Sequence, residues 1–281
     1  MRKFCLLGCL CAVALILYAK LSTENDGADI NIVFPSLHSQ NAILINESGT
    51  PLFEKNADAI IYPASLTKIM TAIVAIEQND DLKKRTMIDP QTIETFTAQN
   101  ASMAGFKGGD FVTVEDLLYG TVLPSGADAT ATLANVIAGS EENFVALMND
   151  KAKELGMHDT HFMNASGLHD AKHVSSVRDL SKLFRYAIEN PTFYKILTTR
   201  SYKTAVPEEL IMSNTLLTKM PGAEKAIVGG KTGYTPEAGL CLASLLEKNG
   251  HYFLLITTNA TGNIRVEPLH VQDALNVHAA L

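Results

Sequence analysis

Ser65 and Lys68 stand three residues apart in the stretch IYPASLTKIMTAIVAIE, residues 61–77. After Ser65 the apolar residues fall at Leu66, Ile69, Met70, Ile73, Val74 and Ile76, a helical period. Side chains at i and i+3 on a helix meet. Lysine is among the least often buried residues, yet Lys68 falls among side chains that should face a core. A serine hydroxyl is a poor nucleophile until a base takes its proton. A lysine can be that base when its pKa falls far enough to populate the neutral amine, and burial and a nearby positive charge both push it that way. Backbone N–H groups at the helix start are available to an oxyanion. The competing reading is that Ser65 caps the helix and Lys68 snorkels to solvent. Composition alone gives roughly one S-x-x-K in a chain of this length.

Two further clusters carry chemistry. Lys231-Thr232-Gly233 follows Val228-Gly229-Gly230 in a strand-like run. Lys231 would supply the positive charge, or bind a substrate carboxylate with the Thr232 hydroxyl as a second contact. Gly233 would let a substrate backbone approach the strand. A chance K-T-G is expected in about one chain in twenty of this size. The other cluster, Ser125-Gly126-Ala127-Asp128, lies between two helical patterns. Ser125 would pass a proton between Lys68 and a leaving amine; its plainer role is a helix N-cap.

The elements that must position these groups follow a simple order. Residues 41–56 alternate and turn at Ser48-Gly49, a hairpin pattern. A helical block covers Ser65–Gln78, Val114–Leu123, Ala127–Ala138, Glu142–Leu155 and Val177–Glu189, the last with Ser176 as cap and Asp179 at its third position. Strand patterns return at residues 200–205, 226–234 and 239–260, the last with an Asn249-Gly250 hairpin turn. A final helix runs from about Pro268. Strands, helices, strands and a helix make an α+β order in which both ends feed one sheet.

The chain has 281 residues, 47% hydrophobic and 19% charged, which is ordinary for a globular protein. A net charge of −7 argues against nucleic acid as a partner. Arg2 and Lys3 precede an apolar run from Phe4 to Ala19 that Lys20 ends. Residues 1–20 read as an export signal kept as an N-terminal membrane anchor, with residues 21–36 a polar tether and the bulk of the chain outside. Of 4 cysteines only Cys241 lies beyond that segment, so the exported part forms no internal disulfide. Cys241, between Leu240 and Leu242, reads as buried and inert. The histidine pairs His158/His161 and His169/His173 lack the H-E-x-x-H pattern of a zinc site and read as surface or hydrogen-bonding residues, so no metal or other cofactor is expected. Arg265 reads as a loop residue, with a carboxylate contact as its alternative role.

S-x-x-K, a middle serine motif and a late K-T-G, in that order, are shared by serine acyl-transfer enzymes that act on penicillin or D-Ala-D-Ala. With the blocks YPASLTKIMTA, LLYGTVLPSGADA, FVALMNDKAKELGMHDTHFMNASGLHD and GGKTGYTPEAGLCLA, the chain resembles the low-molecular-mass penicillin-binding proteins, serine D-alanyl-D-alanine carboxypeptidases of the peptidase S11 type. The resemblance covers nearly all of residues 38–281. It implies a β-lactamase/transpeptidase-like fold, an antiparallel sheet flanked by helices with a mostly helical subdomain, over residues 37–281. It implies Ser65 as nucleophile, Lys68 as base, Ser125 in proton transfer, and Lys231 and Thr232 on the terminal carboxylate. Gly233 would admit the substrate backbone, and the N–H groups of Ser65 and Tyr234 would form the oxyanion hole. The implied partners are peptidoglycan pentapeptides ending in D-Ala-D-Ala, with β-lactams as inhibitors. Many relatives continue into a β-rich domain, and this chain stops near the catalytic domain's end. The family's middle motif ordinarily reads Ser-x-Asn, and here the third residue is Ala127. A lost hydrogen bond of that kind costs on the order of 1–3 kcal/mol, or roughly ten- to a hundredfold in rate. A binding protein without activity and a β-lactamase are the alternative readings; the second would need a deacylating carboxylate that the sequence does not point out.

Overall fold

The computed structural model describes residues 36–205, 210–219, 223–262 and 268–281. The apolar leader, the tether up to residue 35 and Arg265 lie outside the described residues. The element order is β1 (Ser39–Asn46), β2 (Pro51–Lys55), α1 (Thr67–Glu77), β3 (Arg85–Met87), α2 (Pro90–Ala98), β4 (Phe111–Thr113), α3 (Val114–Val122), α4 (Ala127–Ala138), α5 (Glu141–Glu154), α6 (Val177–Glu189), α7 (Pro191–Thr198), β5 (Ser201–Lys203), β6 (Ile211–Ser213), α8 (Thr215–Lys219), β7 (Ile227–Thr235), β8 (Gly239–Lys248), β9 (His251–Ala260) and α9 (Leu269–Ala280). Among the described residues no helix is long and apolar enough to cross a membrane.

The main sheet has five antiparallel strands in the order β2-β1-β9-β8-β7. Its strands are apolar on both faces because both faces are covered. Ile43, Ile45, Ala243, Leu245, Leu254 and Ile256 turn toward the helical block. Ala42, Leu44, Leu242, Leu246 and Leu255 turn the other way, onto Val271, Ala274 and Val277 of α9. Asn249 and Gly250 both have positive φ, 56° and 83°, as a two-residue hairpin turn between β8 and β9 requires.

α1 is the central helix. Every residue from Thr67 to Ala75 is buried, and the helix packs against α3, α4, α5 and α6. A helix apolar all round belongs in the interior, and that placement carries Lys68 inside with it. α3, α5 and α6 are started by side-chain caps, whereas α4 starts at Gly126 without one. Thr113 and Asp116 form a capping box on α3, and Ser176 accepts from Asp179 N on α6. α2 and α7, short helices with no long apolar period, are each set by an Asx cap followed by proline, Asp89-Pro90 and Asn190-Pro191.

One buried carboxylate ties the chain's two ends together. Asp273 Oδ1 accepts from His38 N at 2.9 Å, and its Oδ2 accepts from Ser39 N at 2.8 Å and Ser39 Oγ at 2.6 Å. Asp273→Ala leaves those buried donors unpaired and is expected to cost about 3 kcal/mol. The check is a urea titration in which the midpoint falls and the slope is unchanged.

Candidate active site

Ser65 sits in a single 3-10 turn, Ala64–Leu66, immediately before α1. Neither the turn nor α1 has a side-chain cap, so Ser65 is not the helix cap. Ala64 has φ +46°, unusual for a residue with a Cβ, and is held there from two sides. A Cβ on Gly167 would fall 2.0 Å from Ala64 O, and one on Gly233 would fall 3.0 Å from Ser65 N. The turn that presents Ser65 is therefore clamped between the loop 163–168 and strand β7.

Lys68 is 2% exposed. Its Nζ donates to Ser65 Oγ at 3.0 Å and to Ser166 O at 2.5 Å. Burial pushes its pKa down to about 7, against an opposing pull from the charge of Asp128. The amine does not snorkel; it is enclosed and close to neutral.

The loop that closes over Lys68 is built from short polar contacts. Asn164 Oδ1 accepts from Gly167 N and Ser166 Oγ, and its Nδ2 donates to Leu168 O. Thr71 Oγ1, one turn along α1 from Lys68, donates to Ala165 O at 2.7 Å. His173 is the buried brace. Its Nδ1 accepts from Met163 N at 3.1 Å, so the ring proton lies on Nε2 and is donated to Thr67 Oγ1 at 2.7 Å. Burial pushes its pKa down to about 4, and it stays neutral. Both ring nitrogens are engaged within the fold. His169 is elsewhere, edge-on to Tyr62 with ring centroids 4.8 Å apart.

β7 pairs only with β8 and forms the sheet edge beside Ser65. Lys231 is 2% exposed, and its Nζ donates to Ser125 Oγ and to Thr232 O, each at 2.8 Å. Burial first, and the positive charge of Lys68 second, hold its pKa well below the usual lysine value. Ser125 has φ +65°; the N-cap of α4 is Gly126, so Ser125 is freed from capping and aimed at Lys231. Thr232, Gly233 and Tyr234 line the same cleft of about 260 Å³ as Ser65, Lys68 and Ser125. The fold thus brings six of the seven residues singled out by sequence to one cleft wall or floor, with Lys231 reaching it through Ser125 and Thr232.

Ala127 is buried in a small apolar cluster with Phe96 and Ala131, against Ala101, Met103 and Leu168. Asp128 Oδ1 accepts from Ala104 N at 2.7 Å, while its Oδ2 has no partner, and burial raises its pKa. Ala127 also lines the cleft, so its methyl group stands there where the middle motif ordinarily has an Asn. Asp128, Asn164, Ser166, Thr71 and His173 were not singled out from sequence as parts of the site. Only Asn164-Ala165-Ser166-Gly167 offered a local signal, an Asx and glycine turn composition.

The peptidase S11 family, D-alanyl-D-alanine carboxypeptidase, matches residues 29–262. The chain belongs to this family. A D-alanyl-D-alanine carboxypeptidase of a Streptomyces species is 36% identical over 221 residues, covering 73% of this chain and 75% of that protein. DacF of Bacillus subtilis, also a D-alanyl-D-alanine carboxypeptidase, is 33% identical over 79% of this chain; the chain spans 58% of its length. The crystal structure of a Streptomyces DD-transpeptidase superposes with a TM-score of 0.81 at 31% identity, over 89% of this chain and 98% of that one. Gly167→Ala, at φ +78° and facing Ala64 O, is expected to push the loop off Lys68. Its measure is a lowered melting temperature.

Proposed function

We propose that this chain is an exported serine D,D-carboxypeptidase that removes the terminal D-Ala from peptidoglycan stem peptides, held at the membrane by its N-terminal segment. The observation that carries the reading is the contact of 3.0 Å between Ser65 Oγ and a buried amine whose pKa is near 7. Once Lys68 is neutral, its lone pair takes the Ser65 proton across that contact and Oγ attacks the carbonyl between the two D-alanines. The N–H groups of Ser65 and Tyr234 receive the developing oxyanion. Lys231 and Thr232 hold the terminal carboxylate. Ser125 accepts its hydrogen bond from Lys231, so its own proton is free to pass to the leaving nitrogen, and the proton that Lys68 took from Ser65 replaces it on Ser125. Water then hydrolyses the ester on Ser65. β-Lactams acylate the same oxygen.

The Streptomyces structure is named a DD-transpeptidase, which supports transfer of the acyl group to an amine as a second outcome of the same ester. The described residues lining the cleft include no carboxylate, which favours slow release of a β-lactam over rapid turnover. Ala127 lines the cleft but takes no part in the Ser65–Lys68 or Lys231–Ser125 hydrogen bond, which favours an active enzyme over a binding protein.

Release of D-alanine from a peptide ending in Lys-D-Ala-D-Ala is expected for the parent and absent for Ser65→Ala; no release from a folded parent overturns the reading. The acylation rate is expected to rise with pH through about 7 and then level, because the base works only unprotonated and Lys68 loses its proton there. Stopped-flow acylation between acid and mildly alkaline pH measures that midpoint; a rate flat across this range sinks the assignment of Lys68 as base.

A further inference from the structure

The cleft continues past Tyr234. β7 is an edge strand, open on one side to an extended peptide. A peptide with its carboxylate at Lys231 and Thr232 and its scissile carbonyl at Ser65 runs antiparallel to β7. Each residue upstream advances about 3.3 Å along the strand. The residue preceding D-Ala-D-Ala is then carried to the level of Thr235, the last residue of β7, with Glu237 two residues further on in the turn that follows. At that turn the loop after Leu168 meets the strand end. His169 Nδ1 lies 3.8 Å from Glu237 Oε2, and His169 packs edge-on against Tyr62, three residues before Ser65. The Glu237 carboxyl is held below its usual range by its own backbone N–H, against a small burial cost, with the Thr235 hydroxyl and His169 adding to the effect. Its side chain is 41% exposed, and the His169 contact is too long to occupy it.

We propose that Glu237, backed by His169 and Tyr62, is a specificity subsite for the side-chain ammonium of a diamino residue preceding the D-Ala-D-Ala end. Tyr62 offers apolar surface to the methylene stem and Glu237 the charge. The inference rests on the carboxypeptidase reading above. Its test compares kcat/KM of the full chain for Nα-acetyl-Lys-D-Ala-D-Ala, with a free ε-ammonium, and for the Nα,Nε-diacetyl peptide. The free ammonium is expected to be preferred about two- to fivefold, as for an exposed ion pair. The preference shrinks in about 1 M salt and falls to about one in Glu237→Gln. An equal ratio in parent and variant overturns the subsite while leaving the carboxypeptidase reading standing. Hydrolysis of neither peptide by the folded parent overturns that reading and this inference together.

Discussion

The enclosed amine of Lys68, bonded to a serine hydroxyl and a carbonyl and to no carboxylate, is the constraint on which the rest of the structure depends. An ammonium taken out of water without a paired anion is costly, and it relieves the cost by losing its proton. The site needs that relief, so the protein must keep the amine dry. A central helix supplies the dry position, since α1 is buried from Thr67 to Ala75. The loop 163–168 supplies the lid, and His173 fixes the lid to α1 through Thr67 and Met163. The sheet supplies the remaining wall, with β7 laid so close to the Ser65 turn that a Cβ at position 233 would stand 3.0 Å from Ser65 N. Asp128 moderates the result, because its charge pulls the Lys68 pKa upward against the burial that lowers it.

Much of this was legible in residue type and spacing, because those features obey local rules. Ser65 and Lys68 stood out because a lysine interrupted a helix with no polar face. The hairpin at Asn249-Gly250 and the cap at Ser176 follow from side-chain and backbone preferences confined to a few residues. The pairing of β1 with β9 was anticipated only as a shared sheet, and its register comes from turn geometry and two-sided burial across more than 200 intervening residues. The short helices α2 and α7 and the strands β3, β4 and β6 escaped because a few residues carry too little periodicity, whereas β5 lies within the strand pattern at residues 200–205. Both modest readings of the serines, as helix caps, fail for one reason. Each serine sits beside the capping position in a turn with positive φ at itself or its neighbour, which aims the hydroxyl into the cleft. Such backbone strain has no signature in a single sequence.

Ala127 shows how a local departure can be absorbed. Removing an amide from a polar site leaves its partners unpaired only if nothing else changes. Here Phe96, Ala131, Ala101, Met103 and Leu168 gather around the methyl group. The Ser125 turn is instead held by backbone, with Ala127 N donating to Ser102 O at 2.7 Å and Gly126 N to Gly120 O at 2.8 Å. These backbone contacts hold the turn, and Ser125 accepts from Lys231 with no amide at position 127.

Two buried lysines in one cleft also order the chemistry in time. Their charges oppose one another, and Lys231 is held low both by burial and by the charge on Lys68. Both effects weaken the hold of Lys231 on its proton. A carboxylate seated against Lys231 reverses this, because an opposite charge at hydrogen-bond distance favours the ammonium. The proton regained by Lys231 then presses on Lys68 in turn and lowers its hold on its own. Under the proposed reaction the substrate that needs a base at Ser65 thereby helps to make one. An amine acting as base in this way is strongest in its effect once the cleft is filled, and water alone gains little from it.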